Sequence, residues 1–381
     1  MTTNVTVRPI QDRRDLSAFL RVPWPIYAGD PHWVPPLLIE RAQLLAPSNP
    51  FFEHARWQGW IAWRDGKPVG RISAQIDDLH QQRYGDSTGY FGLFECIDDT
   101  AVARALIAAA RGWLRERGMR RIAGPFNLGI NQEIGVLVEG FTTPPKVMMG
   151  HARPYYDALL RACGLRKATD VLAYEIETLF PISLAMTSVL DRYRDRVQVR
   201  PLDKRRLAAE LEIMRDIFND AWANNWGFVP FTDKEFRAVG KEMLLLIPPD
   251  LVQIADLDGT PAAFMVTLPN INEAIMDLNG RLLPFGWLKL LWRLKVRYPT
   301  SGRVALMGVR QPFQNTRTGA ALAFAVINAS RAPVSGAGIR TAEMSWILED
   351  NKGMRSIIES ISGVVSKRYR MYQGTLDGPE A

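Results

Sequence analysis

The segment Arg310-Gln311-Pro312-Phe313-Gln314-Asn315-Thr316-Arg317-Thr318-Gly319-Ala320 has the residue types of an anion-binding turn. A β-forming run, Val304 to Val309, leads into it, and an Ala-rich helical run leaves it. A short polar loop with small residues at a helix start leaves backbone N–H groups unpaired, and the helix dipole adds positive potential there. The competing reading is a polar loop that only caps its helix.

The elements around this turn occur twice. Val5-Thr6-Val7-Arg8-Pro9-Ile10 recurs as Val197-Gln198-Val199-Arg200-Pro201-Leu202, an offset of 192 residues. Asp65-Gly66 recurs as Asp258-Gly259 at an offset of 193, each between β-forming runs. Asp-Gly in that setting predicts a tight hairpin, because a type I′ turn needs positive φ at both central residues. Gly118 to Ile122 corresponds to Gly338 to Ala342, an offset of 220, so the second copy carries about 27 extra residues. Long helices are expected over Ala101 to Arg117 and Gly319 to Ala332, each followed by a strand and a closing helix. The layout is α+β, with a mixed, mostly antiparallel sheet flanked by helices in each copy. The boundary is expected near Leu179-Phe180-Pro181, giving domains 1–180 and 181–381.

Composition narrows the chemistry. The 381 residues carry 47 Lys+Arg against 40 Asp+Glu, a net charge of +7. Two cysteines make neither a disulfide framework nor a structural zinc site, and the four histidines show no His-Glu-x-x-His pair, so no metal is expected. The basic residues form no nucleic-acid-binding motif, so no nucleic acid is expected. The charged N-terminal segment lacks the apolar core of a signal peptide, and no uninterrupted apolar stretch is long enough to span a membrane.

The extra residues of the second copy include Arg281 to Arg297, rich in Trp and Leu and free of acids. On a helix, Trp287, Leu288, Leu290, Leu291 and Leu294 fall on one face and Lys289, Arg293 and Arg297 on the other. This is the composition of a helix lying on an anionic membrane; the alternative is a helix packed on the sheet with its basic face in water. In the first copy the corresponding turn is Glu95-Cys96-Ile97-Asp98-Asp99-Thr100, whose carboxylates would repel a phosphate. One reading is that Asp98 and Asp99 cap the helix starting near Ala101; the other is that Glu95, Asn127, Asn131 and Glu133 line an amine pocket.

The turn at 314–320 resembles the pyrophosphate-binding turn, Q/R-x-x-G-x-G/A, of the GNAT acyltransferases. Gln314 and Gly319 take the first and last pattern positions, and Arg317 replaces the middle glycine. Glu343 to Asn351 and Met354 to Gly363 look like the next GNAT strand, its terminal Asn and the last helix. Pro23-Trp24-Pro25-Ile26-Tyr27, Asn49 to Ala55, Gly92 to Asp99 and Leu283 to Trp287 are similar to the tandem GNAT-like proteins that include bacterial ceramide synthases. The resemblance covers nearly the whole chain.

It implies two tandem GNAT domains, the second holding acyl-CoA through Met307, Val309, Gln314, Asn315, Thr316, Arg317, Thr318, Gly319 and Ala320. Backbone N–H groups near Met307 to Val309 would hold the thioester carbonyl. Glu349 or Glu95 is the candidate base, with Asn351 beside it. The helix position that usually holds the leaving-group Tyr is Ile358, so Tyr369 and Tyr372 are the candidate replacements. The implied reaction moves a fatty acyl group from acyl-CoA to the amine of a sphingoid base, sphinganine or 3-ketosphinganine, giving ceramide or 3-oxo-ceramide. The chain is then expected in the cytoplasm, peripheral on the inner membrane through Arg281 to Arg297. The rivals are an acetyltransferase for a soluble amine and a non-catalytic acyl-CoA-binding module.

Overall fold

Asp65 and Gly66 take φ values of 50° and 73°, and Asp258 and Gly259 take 50° and 83°. Both pairs therefore close type I′ hairpins, as their residue types require. The computed structural model describes residues 5–376. Its first strands are β1 (Thr6–Pro9), β2 (Ala55–Arg64), β3 (Lys67–Asp77), β4 (Thr88–Cys96), β5 (Arg121–Gly124), β6 (Phe126–Asn127), β7 (Glu133–Ile134) and β8 (Val136–Glu139). Then follow β9 (Arg166–Glu177), β10 (Val197–Pro201), β11 (Val252–Leu257), β12 (Thr260–Pro269), β13 (Ser301–Val309), β14 (Thr341–Leu348) and β15 (Val364–Thr375).

Two units result, each with its own core. One comprises residues 5–170, 275–282 and 367–376; the other comprises 171–274 and 283–366. Within the first the strand order is β1-β2-β3-β4-β5-β15, and within the second it is β10-β11-β12-β13-β14-β9. The two orders are the same topology, with one parallel pair in each: β4 with β5 (Thr88 opposite Arg121) and β13 with β14 (Ser301 opposite Thr341). A parallel pair needs a crossover, and the helices Thr100–Arg115 and Arg317–Gly336 supply it.

A cut at residue 180 does not describe these units. Each half of the sequence lends its last strand to the other unit: β9 pairs antiparallel with β14 (Val171 opposite Leu348), and β15 with β5 (Tyr372 opposite Gly124). Neither strand was part of the expected layout, which ended each copy on a helix. Val364 to Thr375 is rich in Lys and Arg, and its pairing partner is remote, so local pattern hides it.

The extra length of the second unit lies mainly between β12 and β13, where residues 270–300 replace the connection 78–87 of the first. It carries the helix Gly286–Lys295, of which no residue is buried. The expected apolar and basic faces need one correction. Arg293 turns inward and donates to the Ala274 carbonyl at 2.7 Å. The outward face is the apolar one, with Trp287, Leu288, Leu291 and Trp292 all about half exposed.

Candidate active site

In the second unit the parallel ladder runs only from Ser301–Thr341 to Val304–Met344. Beyond Val304 the two strands part. The Arg310 N–H donates to the Ala262 carbonyl at 2.9 Å, so by the two-residue strand period Gly308 and Leu306 face β12. Met307 and Val309 then face the opening. Their carbonyls are occupied: the Trp222 indole N–H donates to Met307 at 2.9 Å and Gln314 Nε2 to Val309 at 2.9 Å. Their N–H groups point where β14 has departed, placed to hold a carbonyl oxygen that gains negative charge. Trp222 also meets Trp346 edge to face at 4.9 Å, which walls the opening on that side.

The turn follows directly. The Thr316 hydroxyl accepts the Gly319 N–H at 3.1 Å and donates to the Phe313 carbonyl at 2.5 Å, giving the helix a neutral cap. The N–H groups of Arg317 and Thr318, the first helical residues, have no acceptor within the helix. The Arg317 side chain is exposed. Asn315 is exposed at φ 58°, and a Cβ on Gly353 would lie 3.2 Å from its Oδ1, so the start of the helix Lys352–Ser360 abuts the turn. Gln314 ties the loop down through the Ala221 and Val309 carbonyls. Gly319 is required by packing, since a Cβ would stand 2.1 Å from the Phe313 oxygen. Ala320 continues the helix by donating to the Thr316 carbonyl, and the Thr318 hydroxyl meets that of Tyr193 at 3.1 Å.

The first unit has the same opening after Tyr90–Ala123, but its own chain closes it. Asn127 Oδ1 accepts the Leu93 N–H at 2.8 Å. The Tyr156 hydroxyl accepts the Cys96 N–H at 3.1 Å, and the Tyr155 hydroxyl donates to the Cys96 carbonyl at 2.9 Å. Gly92 has no room for a Cβ, which would stand 1.8 Å from the Phe126 oxygen. At the helix start Asp99 accepts from the Ala101 and Val102 N–H groups and pairs with Arg64 at 2.6 Å. Asp99 is thus the cap of this helix. Here a carboxylate occupies the Ala101 N–H, whose counterpart at Thr318 the Thr316 hydroxyl leaves open in the second unit.

Behind this closed opening lies a buried polar network. Tyr156 donates to Glu95 at 2.7 Å, with Arg71 at 3.7 Å from the same carboxylate. Burial pushes the Glu95 carboxyl above its ordinary value, against the pull of Arg71. Burial acts the same way on Glu133, but Arg41 and Asn127 outweigh it and hold that carboxyl below its ordinary value. Asn127 donates to Glu133 at 2.9 Å, and Arg41 forms an ion pair with it. Three residues expected at an amine site, Glu95, Asn127 and Glu133, are thus neighbours through this network, while Asn131 lies half-buried in the loop 128–132.

The remaining candidates are divided between the units. Glu349 stands half-buried just past β14, its carbonyl held by Arg355 at 2.8 Å, and Asn351 caps the next helix by accepting the Met354 N–H at 3.1 Å. Ile358 is fully buried in the second unit's core. Tyr369 and Tyr372 lie on β15 in the first unit, both buried, and Tyr372 donates to Asp157. Burial raises the Tyr372 hydroxyl far above its ordinary value. The structure therefore does not bring these tyrosines together with the turn inside one unit. Sequence reasoning missed Trp222, Tyr156 and Arg41, whose roles depend on partners remote in the chain. Among the described residues no group of three or more His, Cys, Asp or Glu is placed to hold a metal ion.

No protein-family model matches the chain. It is 48% identical over 96% of its length to protein YghO of Escherichia coli (strain K12), covering 94% of that protein. It is 44% identical over 98% of its length to the bacterial ceramide synthase of Caulobacter vibrioides, covering 98% of that chain. Among solved structures, a tandem GNAT protein from the clavulanic acid biosynthesis pathway superposes with a TM-score of 0.56 at 13% identity, covering 99% of this chain and all of that one. With the duplicated topology, the parted strands and the capped turn, these likenesses have one consequence: the chain belongs to the tandem GNAT-like acyl-CoA N-acyltransferases, the family of the bacterial ceramide synthase.

Proposed function

We propose that the protein transfers a fatty acyl group from acyl-CoA to the primary amine of a sphingoid base, sphinganine or 3-ketosphinganine. The observation that carries this reading is an open, neutral-capped turn in the same unit as an outward apolar helix. The turn suits a pyrophosphate, and the helix suits an enzyme whose acceptor resides in a bilayer. The relative named as a ceramide synthase supports the choice of acceptor.

In this reading the N–H groups of Arg317 and Thr318, with the Arg317 guanidinium, bind the pyrophosphate. The N–H groups of Met307 and Val309 hold the thioester carbonyl and stabilise the oxyanion that forms on attack. The acceptor ammonium loses two protons on its way to the amide: Glu349 takes the one that frees the amine lone pair to attack, and the second, shed from nitrogen after the C–N bond forms, passes to the departing thiolate. The C–N bond forms, the C–S bond breaks, and the thiolate leaves to be protonated. Glu95, sealed by Tyr156 and Arg71, keeps the first unit's opening shut.

The acyl donor and acceptor are tested by incubating the protein with acetyl-CoA or palmitoyl-CoA and each sphingoid base. N-acylated lipid and free thiol in equal amounts are expected with palmitoyl-CoA. No lipid product from any donor would overturn the assignment, and product only from acetyl-CoA with a soluble amine would favour an ordinary acetyltransferase.

The helix Gly286–Lys295 is proposed to lie on an anionic membrane. Trp287, Leu288, Leu291 and Trp292 enter the interface, with Lys289, Lys295 and Arg297 at headgroup level. No helix among the described residues is long and apolar enough to cross a membrane. The double change Trp287→Glu and Leu291→Glu should reduce co-sedimentation with phosphatidylglycerol vesicles by about tenfold or more, from lost apolar burial and added repulsion. Unchanged sedimentation would assign the helix another role.

A further inference from the structure

We infer that Trp222 and Gln314 are positioning residues for acyl transfer: by donating to the Met307 and Val309 carbonyls, they leave donors alone on the parted edge of β13. This rests on the reading above, in which the Met307 and Val309 N–H groups hold the thioester oxygen, and adds what makes those groups effective.

A strand edge carries as many carbonyls as N–H groups, and the two groups of one residue point to the same side. Where β14 departs, Met307 and Val309 therefore turn two carbonyl oxygens outward beside their two N–H groups. A bare carbonyl oxygen repels an oxyanion that forms next to it, and a site with little water screens that repulsion weakly. Both oxygens are covered here. The Trp222 indole N–H donates to the Met307 oxygen at 2.9 Å. Gln314 Nε2 carries two N–H bonds and donates to the Val309 oxygen at 2.9 Å and the Ala221 oxygen at 2.8 Å.

The first unit does the opposite at the matching place. Cys96 pairs with Gly70 as Val309 pairs with Ala263, each beyond the end of its parallel ladder. There the Tyr156 hydroxyl accepts the Cys96 N–H at 3.1 Å, and Asn127 Oδ1 accepts the Leu93 N–H at 2.8 Å. One unit covers its donors; the other covers its acceptors.

Trp222 is fixed before any substrate arrives. Its ring stacks on Phe218 at 5.0 Å and 23°, and meets Trp346 edge to face at 4.9 Å. Gly308 lets the helix Leu207–Trp222 lie close to the strand, since a Cβ there would stand 3.2 Å from the Ala221 Cβ. Pre-organised donors of this kind cost no rearrangement at the moment of reaction.

The test uses the full chain and palmitoyl-CoA isotope-labelled at the thioester carbonyl. Infrared difference spectroscopy of the bound donor reads the polarisation of that carbonyl and needs no acceptor amine. Binding to the wild type is expected to lower the carbonyl stretch. Trp222→Phe keeps an aromatic ring and removes the N–H, so the stretch should fall less, with coenzyme A affinity unchanged. In turnover with sphinganine, its kcat is expected to drop about tenfold at unchanged KM for palmitoyl-CoA, less than the roughly hundredfold loss of a donor that touches the oxyanion itself. Gly308→Ala pushes the helix end away without altering the indole, and should move both readings the same way by a smaller amount. It also guards against a Trp222→Phe protein that does not fold. Wild-type stretch and kcat in the folded variants would overturn the inference, as would a raised KM at unchanged kcat, the mark of plain binding. Where sphinganine is not turned over, the infrared reading alone decides. A wild-type stretch that stays put on binding would instead overturn the assignment of the Met307 and Val309 N–H groups.

Discussion

Gly319→Ala is expected to lower coenzyme A affinity by about 100-fold or more while costing the fold only about 1–3 kcal/mol. The added Cβ would stand 2.1 Å from the Phe313 carbonyl oxygen, so the loop must move. That same carbonyl accepts the Thr316 hydroxyl, which in turn caps the Gly319 N–H. Displacing Phe313 therefore re-aims the free N–H groups of Arg317 and Thr318. A shift of about an ångström is enough to spoil several aligned hydrogen bonds to one pyrophosphate. Isothermal titration with coenzyme A reads the affinity, and circular dichroism checks the fold. Wild-type affinity in a folded Gly319→Ala protein would mean that the turn does not hold the cofactor.

Glu133→Ala is expected to destabilise the protein by about 2–4 kcal/mol, the largest stability effect of any single change considered. It takes the closer carboxylate from the Arg41 guanidinium, which keeps Glu40 at 3.3 Å, and removes the acceptor of Asn127 Nδ2. Arg41 and Glu133 keep 21% and 15% side-chain exposure, which places the cost below that of a fully buried pair. Asn127 loses the partner that orients it, and with it goes the bond to the Leu93 N–H that closes the first unit's opening. The pH dependence has a definite sign. The Glu133 carboxyl is held below its ordinary value, so its contribution is present above that value and is lost as pH falls through the lower folded one. Glu95 is raised, so its contribution is present below its ordinary value and is lost as pH rises through the higher folded one. Urea midpoints for wild type and Glu133→Ala should converge in acid; a gap that stays constant into acid would remove Glu133 from the account.

What could be read without coordinates follows from the range of the interactions. Asp65-Gly66 and Asp258-Gly259 were legible because turn chemistry is decided by two adjacent residues. The turn at 314–320 was legible because a loop, a cap and a helix start are contiguous. The strand Thr341–Leu348 and both long helices were likewise local patterns. The exchange of β9 and β15 was not legible, because a strand's partner is set by the whole sheet. Nor was the closure of the first opening, which depends on Tyr156 reaching Cys96 across 60 residues. Charge alone suggested that the acidic turn of the first copy would repel a phosphate. The structure adds the mechanism, a carboxylate cap and a side-chain plug in place of the open N–H groups.

The central claim is a division of labour: one unit holds acyl-CoA and the other has filled the same site with its own side chains. Calorimetric titration of the full chain with coenzyme A tests it most directly. The expected result is one site per chain, lost in Gly319→Ala and kept when Asp99 is changed to Asn. Two sites per chain, or a single site that survives Gly319→Ala, would contradict it.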